Sequence, residues 1–248
     1  MNNTKKFLLT IAYDGTKYSG WQRQERQVTV QETIENALKV VFNKSIAIRG
    51  ASRTDSGVHA IGQRAVFNVE TTIPVESLPL AINNKLPRDI RITKAIECDS
   101  DFHPQYDAKK KTYIYKIYIG KIMNPLLNNY AWHVKPLLDI EKMNIAAKVL
   151  IGEHNFLSFC AVGGSAKTFE RTIYDIDVKK IADNTLEISV TGNGFLYNMV
   201  RIISGTLVYM GYGKLDYLNM ANILSCLDRT KAGVTAPPQG LTLMKIEY

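Results

Sequence analysis

What most constrains the fold is the order in which two hydrophobic periods succeed one another over the first hundred residues. Residues 6–13 alternate and are rich in β-formers, so they read as a strand. In "TVQETIENALKVVF", Val30, Ile34, Leu38 and Val41 recur at helical spacing, and Thr29 with Glu32 three residues on forms a capping box. "IAIRGA" is a short strand and "QRAVFNVE" alternates as another. "VESLPLAINNKL" reads as helix confined by Pro79 to its flanks, and "IRITKAIE" is again a strand.

Strand, helix, strand, strand, helix, strand is the order of a ferredoxin-like split β-α-β unit. The second half has a similar order with additions. "KKTYIYKIYIG" is a long strand, and "DIEKMNIAAKVLIG" is a helix with Asp139 as N-cap and Gly152 at its end. "RTIYDIDVKKI" and "LEISVTGNG" are strands joined by the turn "ADNT". "FLYNMVRIISGTLVYMG" and "DYLNMANILSCL" are helices, with the glycines of "YMGYGK" as a C-cap, and "LTLMKIEY" is a closing strand. The expected class is therefore α+β. Two halves, 1–103 and 104–248, share a mainly antiparallel sheet with a cleft between them, and "DSDFHPQYDA" marks the boundary.

The 248 residues suffice for a sizeable core, and 46% apolar with 22% charged residues is ordinary globular composition. No apolar run approaches the roughly 20 residues of a membrane span. "MNNTKKFLLTIAYDG" reads as a first strand, not a signal peptide. Three widely separated cysteines, Cys98, Cys160 and Cys226, make no disulfide framework and read as reduced, buried thiols of a cytosolic protein. The histidines at 59, 103, 133 and 154 lack metal-ligand spacing, so no structural zinc is expected. "GGSAKT" has Ala166 and Ala161 where a phosphate loop requires glycines, so it is an ordinary surface loop. Neither a nucleophile-elbow serine nor a zinc-deaminase signature is present.

The net charge of +8 favours a polyanionic partner, nucleic acid above all. Two stretches fit that partner. "KKKTYIYKIYIGK" interleaves Tyr113, Tyr115 and Tyr118 with Lys110, Lys111 and Lys116, a pattern suited to stacking bases and neutralising phosphates. A β-strand with a solvated lysine face explains it equally well. "KYSGWQRQERQ" adds Trp21, Arg23 and Arg26 in the same style.

In "GASRTDSGVHA" a lone carboxylate, Asp55, sits among Ser52, Thr54 and Ser56 with Arg53 beside it, a setting that favours the ionised form. Gly57 permits close approach of a substrate. Such an aspartate can do covalent chemistry at an anomeric or electrophilic ring carbon. It can equally be an Asx turn or helix cap, and local chemistry alone favours the turn.

"GASRTDSGVHA" closely resembles the catalytic motif of the TruA family of tRNA pseudouridine synthases. "YDGTKYSGWQRQ", "DFHPQYDAKKKTYIYKI", "FLYNMVRIISGTL" and "GLTLMKIEY" resemble further motifs of that family, in order, over residues 7 to 248. The resemblance implies the pseudouridine synthase fold with its active site in the cleft. It implies a cytoplasmic homodimer acting on the anticodon arm of tRNA at uridines 38, 39 and 40, without cofactor or metal. It also implies Asp55 as catalytic aspartate, Arg53 as a residue holding the flipped-out site, and Tyr113 as the base-stacking tyrosine. Arg201 becomes the partner of the aspartate, and Leu241 an apolar residue beside the base. The chain departs from the family pattern with Ser52 for a frequent Gly, Ser56 for a frequent Ala, and a "LYNMVR" without the frequent histidine. An RNA chaperone on the same scaffold is the alternative, and the intact set Asp55, Tyr113 and Arg201 argues for the enzyme.

Overall fold

The structure, a computed structural model, describes residues 4–135, 137–164 and 166–248; Ser165 of "GGSAKT" lies outside them. It is α+β, and the chain divides into two units, Met1–Lys109 with Leu243–Tyr248, and Lys110–Thr242.

The first unit follows the order β1 (Lys5–Tyr13), α1 (Val30–Phe42), β2 (Arg49–Gly50), β3 (His59–Val69), α2 (Leu78–Asn83) and β4 (Ile90–Cys98). β1 lies between β3 and β4, antiparallel to both, so that Leu9 faces Ala65 on one side and Ala95 on the other and is fully buried. The register of β1 slips near its end, between Thr10 and Ile11 against β4 and between Ile11 and Tyr13 against β3. Such irregularities bend a strand and re-aim the chain beyond it, which here is the loop 14–21. α1 begins as its sequence dictates, with the Thr29 hydroxyl accepting from the Glu32 N–H at 3.4 Å, and it buries Val30, Ile34, Ala37 and Leu38. Phe67 of β3 meets Phe7 at 5.6 Å and Phe42 at 6.0 Å between ring centroids, joining sheet and helix in one core.

α2 corrects an expectation. Regular helix includes Pro79 instead of flanking it, because Pro79 falls in the first turn, where its missing N–H has no intrahelical acceptor to lose.

The second unit contains β5 (Lys110–Ile119), β6 (Trp132–Val134), α3 (Ile140–Lys148), β7 (Gly152–Asn155), β8 (Glu170–Ala182), β9 (Thr185–Gly192), α4 (Met199–Gly211) and α5 (Met220–Ser225). Its sheet runs β7-β8-β9-β5 and is antiparallel, with β6 added to β5 in parallel. Asp139 caps α3 by accepting from the Lys142 N–H at 3.1 Å. α3 stops at Lys148, and Gly152, at φ 110°, opens β7 instead of ending the helix. α4 is buried at eleven of its thirteen positions, so it is the core of this unit. Gly205 is obligatory there: a Cβ would stand 1.9 Å from the Val234 carbonyl oxygen. The helix is closed by Gly213 at φ 79°, whose N–H donates to the Met210 carbonyl while Lys214 N–H reaches Tyr209. The last strand, β10 (Leu241–Glu247), lies beside β3, so its residues from Leu243 onward belong to the first unit.

The cysteines are unpaired, as expected, but only Cys160 is buried; Cys98 is intermediate and Cys226 exposed. Cys226 lies just past the end of α5, where no core covers it.

Candidate active site

Asp55 lies on the loop between β2 and β3, and the segment 13–21 underlies that loop. The Trp21 N–H donates to the Thr54 carbonyl at 3.0 Å, and the Tyr13 and Thr54 hydroxyls share a hydrogen bond of 2.7 Å. The Ser56 hydroxyl and the Gly57 N–H both donate to the Tyr18 carbonyl, at 3.2 and 3.3 Å. On the other side Gln63 Nε2 donates to the Ser52 carbonyl at 2.7 Å. Two glycines make this approach possible. A Cβ on Gly15 would be 2.0 Å from the Val58 carbonyl oxygen, and one on Gly20, at φ 92°, would be 2.6 Å from that of Thr54. "YDGTKYSGW" is therefore a cradle, with its glycines where two main chains touch.

The turn itself is made by backbone. The Val58 N–H donates to the Asp55 carbonyl at 3.1 Å, with Gly57 at φ 77° in the third position, the mark of a type II turn. An Asx turn would bring the Gly57 N–H to the Asp55 carboxylate; that N–H donates to Tyr18 instead. The main-chain bond from Val58 closes the turn. Asp55 is half-buried, and Arg53, two residues earlier, is exposed.

Tyr113, Arg201 and Leu241 belong to the second unit. Tyr113 alternates inward on β5 with Tyr115 and Ile117, and its ring meets Phe195 edge to face at 5.3 Å and 88°. The sequence pattern leaves open which face of β5 is covered. Tyr113 is 6% exposed and Tyr115 0%, because the aromatic face of β5 turns to the core. The Tyr115 hydroxyl donates to the Pro237 carbonyl at 2.7 Å, and burial pushes its ionisation far above the ordinary range. Trp21 is likewise core, 2% exposed, 6.0 Å from Tyr13 and against Gly50. Arg23 faces Glu32 and Glu35, each at 3.6 Å. The strand and loop patterns show aromatics and cations but not which face is covered.

Arg201 sits in the first turn of α4, where the helix dipole disfavours a cation. It is held there by side-chain bonds. Nε donates to the Ala236 carbonyl at 2.7 Å, and Nη1 to Asn198 Oδ1 at 2.6 Å. Asn198 is the N-cap at φ 60°, yet its side chain caps no helix N–H because it serves Arg201. The Ala236 N–H returns to the Arg201 carbonyl at 3.1 Å. The segment "APPQG" thus fixes both Arg201 and Tyr115, and Gly240 lets it lie against the Tyr115 ring, 2.6 Å from a would-be Cβ. Leu241, next in the chain, is buried. Asn198 and Ala236 are not legible in the sequence as site residues. Their only trace is the Asn before "MVR", which the apolar pattern places in helix interior. Among the described residues no three His, Cys, Asp or Glu side chains gather to hold a metal.

Comparison with known proteins supplies the frame for these two groups of residues. The family model for tRNA pseudouridine synthase matches residues 9–107 and 146–248. The chain is 48% identical to a tRNA pseudouridine synthase A of Thermoanaerobacter sp. over 98% of this chain and 100% of that one. The same identity and coverage hold for one of Ruminiclostridium cellulolyticum. Among solved structures there is a fainter likeness, TM-score 0.39 at 12% identity. It covers 97% of this chain and 47% of a chain in the structure of an H/ACA RNP bound to a substrate RNA containing 2'-deoxyuridine. On the family match and the full-length relatives, this chain belongs to the tRNA pseudouridine synthase family.

Proposed function

We propose that this chain isomerises uridine to pseudouridine at positions 38, 39 and 40 of the tRNA anticodon arm, with Asp55 as its catalytic carboxylate and no cofactor. The observation that carries the reading, beyond family membership, is the turn at Asp55. Its main-chain bonds close the turn, and the cradle 13–21 fixes it, so the aspartate is carried on a main-chain support with close backbone packing.

The reaction breaks the bond from N1 to C1′, turns the uracil, joins C5 to C1′, and moves a proton from C5 while N1 gains one. Product and substrate are isomers, so no outside electron or group donor enters. The aspartate either receives the electron-poor carbon or assists loss of the C5 proton. The target base must leave its stack at a cost of a few kcal/mol. Stacking on Tyr113, whose ring is set edge-on by Phe195, returns about 1–3 kcal/mol of it. In this reading Arg53 holds the vacated place in the RNA, Arg201 pairs with Asp55, and Leu241 flanks the base. The enzyme works in the cytoplasm as a homodimer whose halves 1–103 and 104–248 both serve the site. No helix among the described residues is long and apolar enough to cross a membrane.

The test is to incubate purified protein with unmodified tRNA transcripts and map pseudouridine at nucleotide resolution. Product at 38–40 supports the reading. Product only elsewhere overturns the site assignment, and no product overturns the activity.

A further inference from the structure

Within the first unit, one short segment of chain, 18–21, straddles Asp55. Before the aspartate, the Trp21 N–H holds the Thr54 carbonyl; after it, the Tyr18 carbonyl holds the Ser56 hydroxyl and the Gly57 N–H. Whatever places 18–21 therefore places the main chain at Asp55. One end of the segment is anchored on α1. The Gly20 and Trp21 carbonyls accept from the Val30 and Gln31 N–H groups at 3.1 and 3.0 Å, first-turn donors that have no acceptor within the helix.

At the other end is Tyr18, tied down through its ring. The side chain is buried, and its hydroxyl donates to Asp89 Oδ1 at 2.7 Å. Asp89 directly precedes β4, and its carbonyl accepts from the Asp14 N–H at 2.9 Å. That bond lies just beyond the Tyr13–Ile90 pair that ends the β1–β4 ladder, so Asp89 stands at a fixed point of the sheet. Tyr18 spans from that point to the catalytic loop, with its hydroxyl at one end and its main-chain carbonyl at the other. Burial, and then the bond to Asp89, hold the phenol protonated far above its ordinary range, so it stays a donor.

Ser56 strengthens the same connection. The alanine frequent at this place in the family pattern would offer the Tyr18 carbonyl the Gly57 N–H and no hydroxyl. The serine adds a donor at 3.2 Å. The departure at residue 56 thus falls on the contact between Tyr18 and the loop.

We propose that Tyr18 is a positioning residue for Asp55, and that Asp89 acts through it as its anchor on the sheet. The inference rests on the proposed role of Asp55. Neither side chain has to touch the RNA. The phenol fixes the segment 18–21, and that segment fixes the turn on which the aspartate is carried. The main-chain bonds of the cradle survive loss of the phenol hydroxyl, so its removal should loosen the aim of the loop and leave the fold.

The experiment measures single-turnover pseudouridine formation and tRNA binding for wild type, Tyr18→Phe, Asp89→Ala, Asp89→Asn and the variant combining Tyr18→Phe with Asp89→Ala. Tyr18→Phe and Asp89→Ala should each slow the reaction roughly tenfold with affinity unchanged, as expected of a small misplacement of a reacting group. The combined variant should be no slower than the slower single one, because the same bond is lost in each. Asp89→Asn keeps an acceptor and should restore most of the rate. Amide hydrogen exchange at Gly57 and Val58, read without RNA, should quicken by at least about fivefold in Tyr18→Phe and Asp89→Ala. Rates within about twofold of wild type in both single variants overturn the proposal, even where the melting temperature falls, since the contact then serves stability alone. Losses that multiply in the combined variant overturn it too, and so does unchanged exchange. Failure of the function is read separately, as absence of pseudouridine from wild-type protein on full tRNA. The exchange measurement would then still decide whether Tyr18 and Asp89 hold the loop.

Discussion

The loop at Asp55 and the cluster around Tyr113, Arg201 and Lys111 are built by opposite means. At Asp55 the scaffold is almost all main chain: carbonyls of Thr54, Asp55 and Tyr18 accept from neighbouring N–H groups, and glycines let two strands of backbone touch. In the second unit, by contrast, the side chains do the holding. Arg201 is kept in a helix first turn by Asn198 and the Ala236 carbonyl, and Lys111 is kept beside Arg171 against both burial and repulsion. The first arrangement is stiff and stable in itself. The second depends on particular side chains, so single substitutions reach it more directly.

The contrast can be broken at several points. Asp55→Asn keeps size and leaves the main-chain turn intact, so the protein should fold normally. Tritium release from C5-labelled uridine in tRNA should fall at least about a thousandfold if, as proposed, the carboxylate does the chemistry. Filter binding of the same tRNA should hardly change, because affinity comes from dispersed phosphate contacts. Residual activity within about tenfold of wild type would sink the assignment.

Gly20→Ala attacks the support instead of the group. The new methyl meets the Thr54 carbonyl at 2.6 Å with φ at 92°. The strain, of order 1–3 kcal/mol, should lower the melting temperature. Displacing the loop should cut turnover by up to roughly a hundredfold. A fully active Gly20→Ala would show that the cradle does not position Asp55.

Asn198→Gly is the matching test in the second unit. Glycine takes φ near 60° freely, so the helix start survives, but Arg201 loses an acceptor at 2.6 Å. Stability should shift by less than about 1 kcal/mol while turnover drops roughly tenfold, and Asn198→Asp should restore most of it. Equal losses of stability and activity in Asn198→Gly would make the asparagine merely structural.

The smallest effect is expected from Lys111→Met, read by thermal melting without RNA. It removes a cation that folding disfavours, so it should raise the melting temperature by about 2–4 °C for each kcal/mol relieved. The lysine is lowered from 10.5 to about 8, so the folded state sheds its proton first. Its penalty is complete below about 8 and is relieved as pH climbs toward 10.5. The advantage of the methionine variant should shrink over that window. A gap that widens with pH would have the wrong sign.

Much of this is legible in the chain. Thr29, Asp139 and Gly213 announce helix ends because capping is local chemistry, and the alternation of residues 6–13 announces β1. Asp55 stands out because so few acids sit among small polar residues after a strand. The misses have one physical cause, that sequence carries period but not side. β5 shows its tyrosines and lysines equally well whichever face is inward, so Tyr115 and Trp21 look RNA-facing in the sequence although they are core. β6 and β7, three and four residues long, are too short to show any period. The apolar pattern starts α4 four residues early because Phe195, Leu196 and Tyr197 continue its run; only the backbone of Asn198 ends it.

Because β10 lies beside β3 although the whole of the second unit separates them in sequence, synthesis and assembly run out of step. A nascent chain that has emerged as far as Thr242 carries every residue of the second unit. Residues Leu243–Tyr248 of the first unit are then still missing, and β3 presents an open flank. An unpaired strand edge is a template for any passing strand, and closing so distant a contact is intrinsically slow. The interval between translation of β3 and arrival of β10 is therefore the period in which this chain is most exposed to misassembly. A ribosome paused near residue 242 would lengthen it.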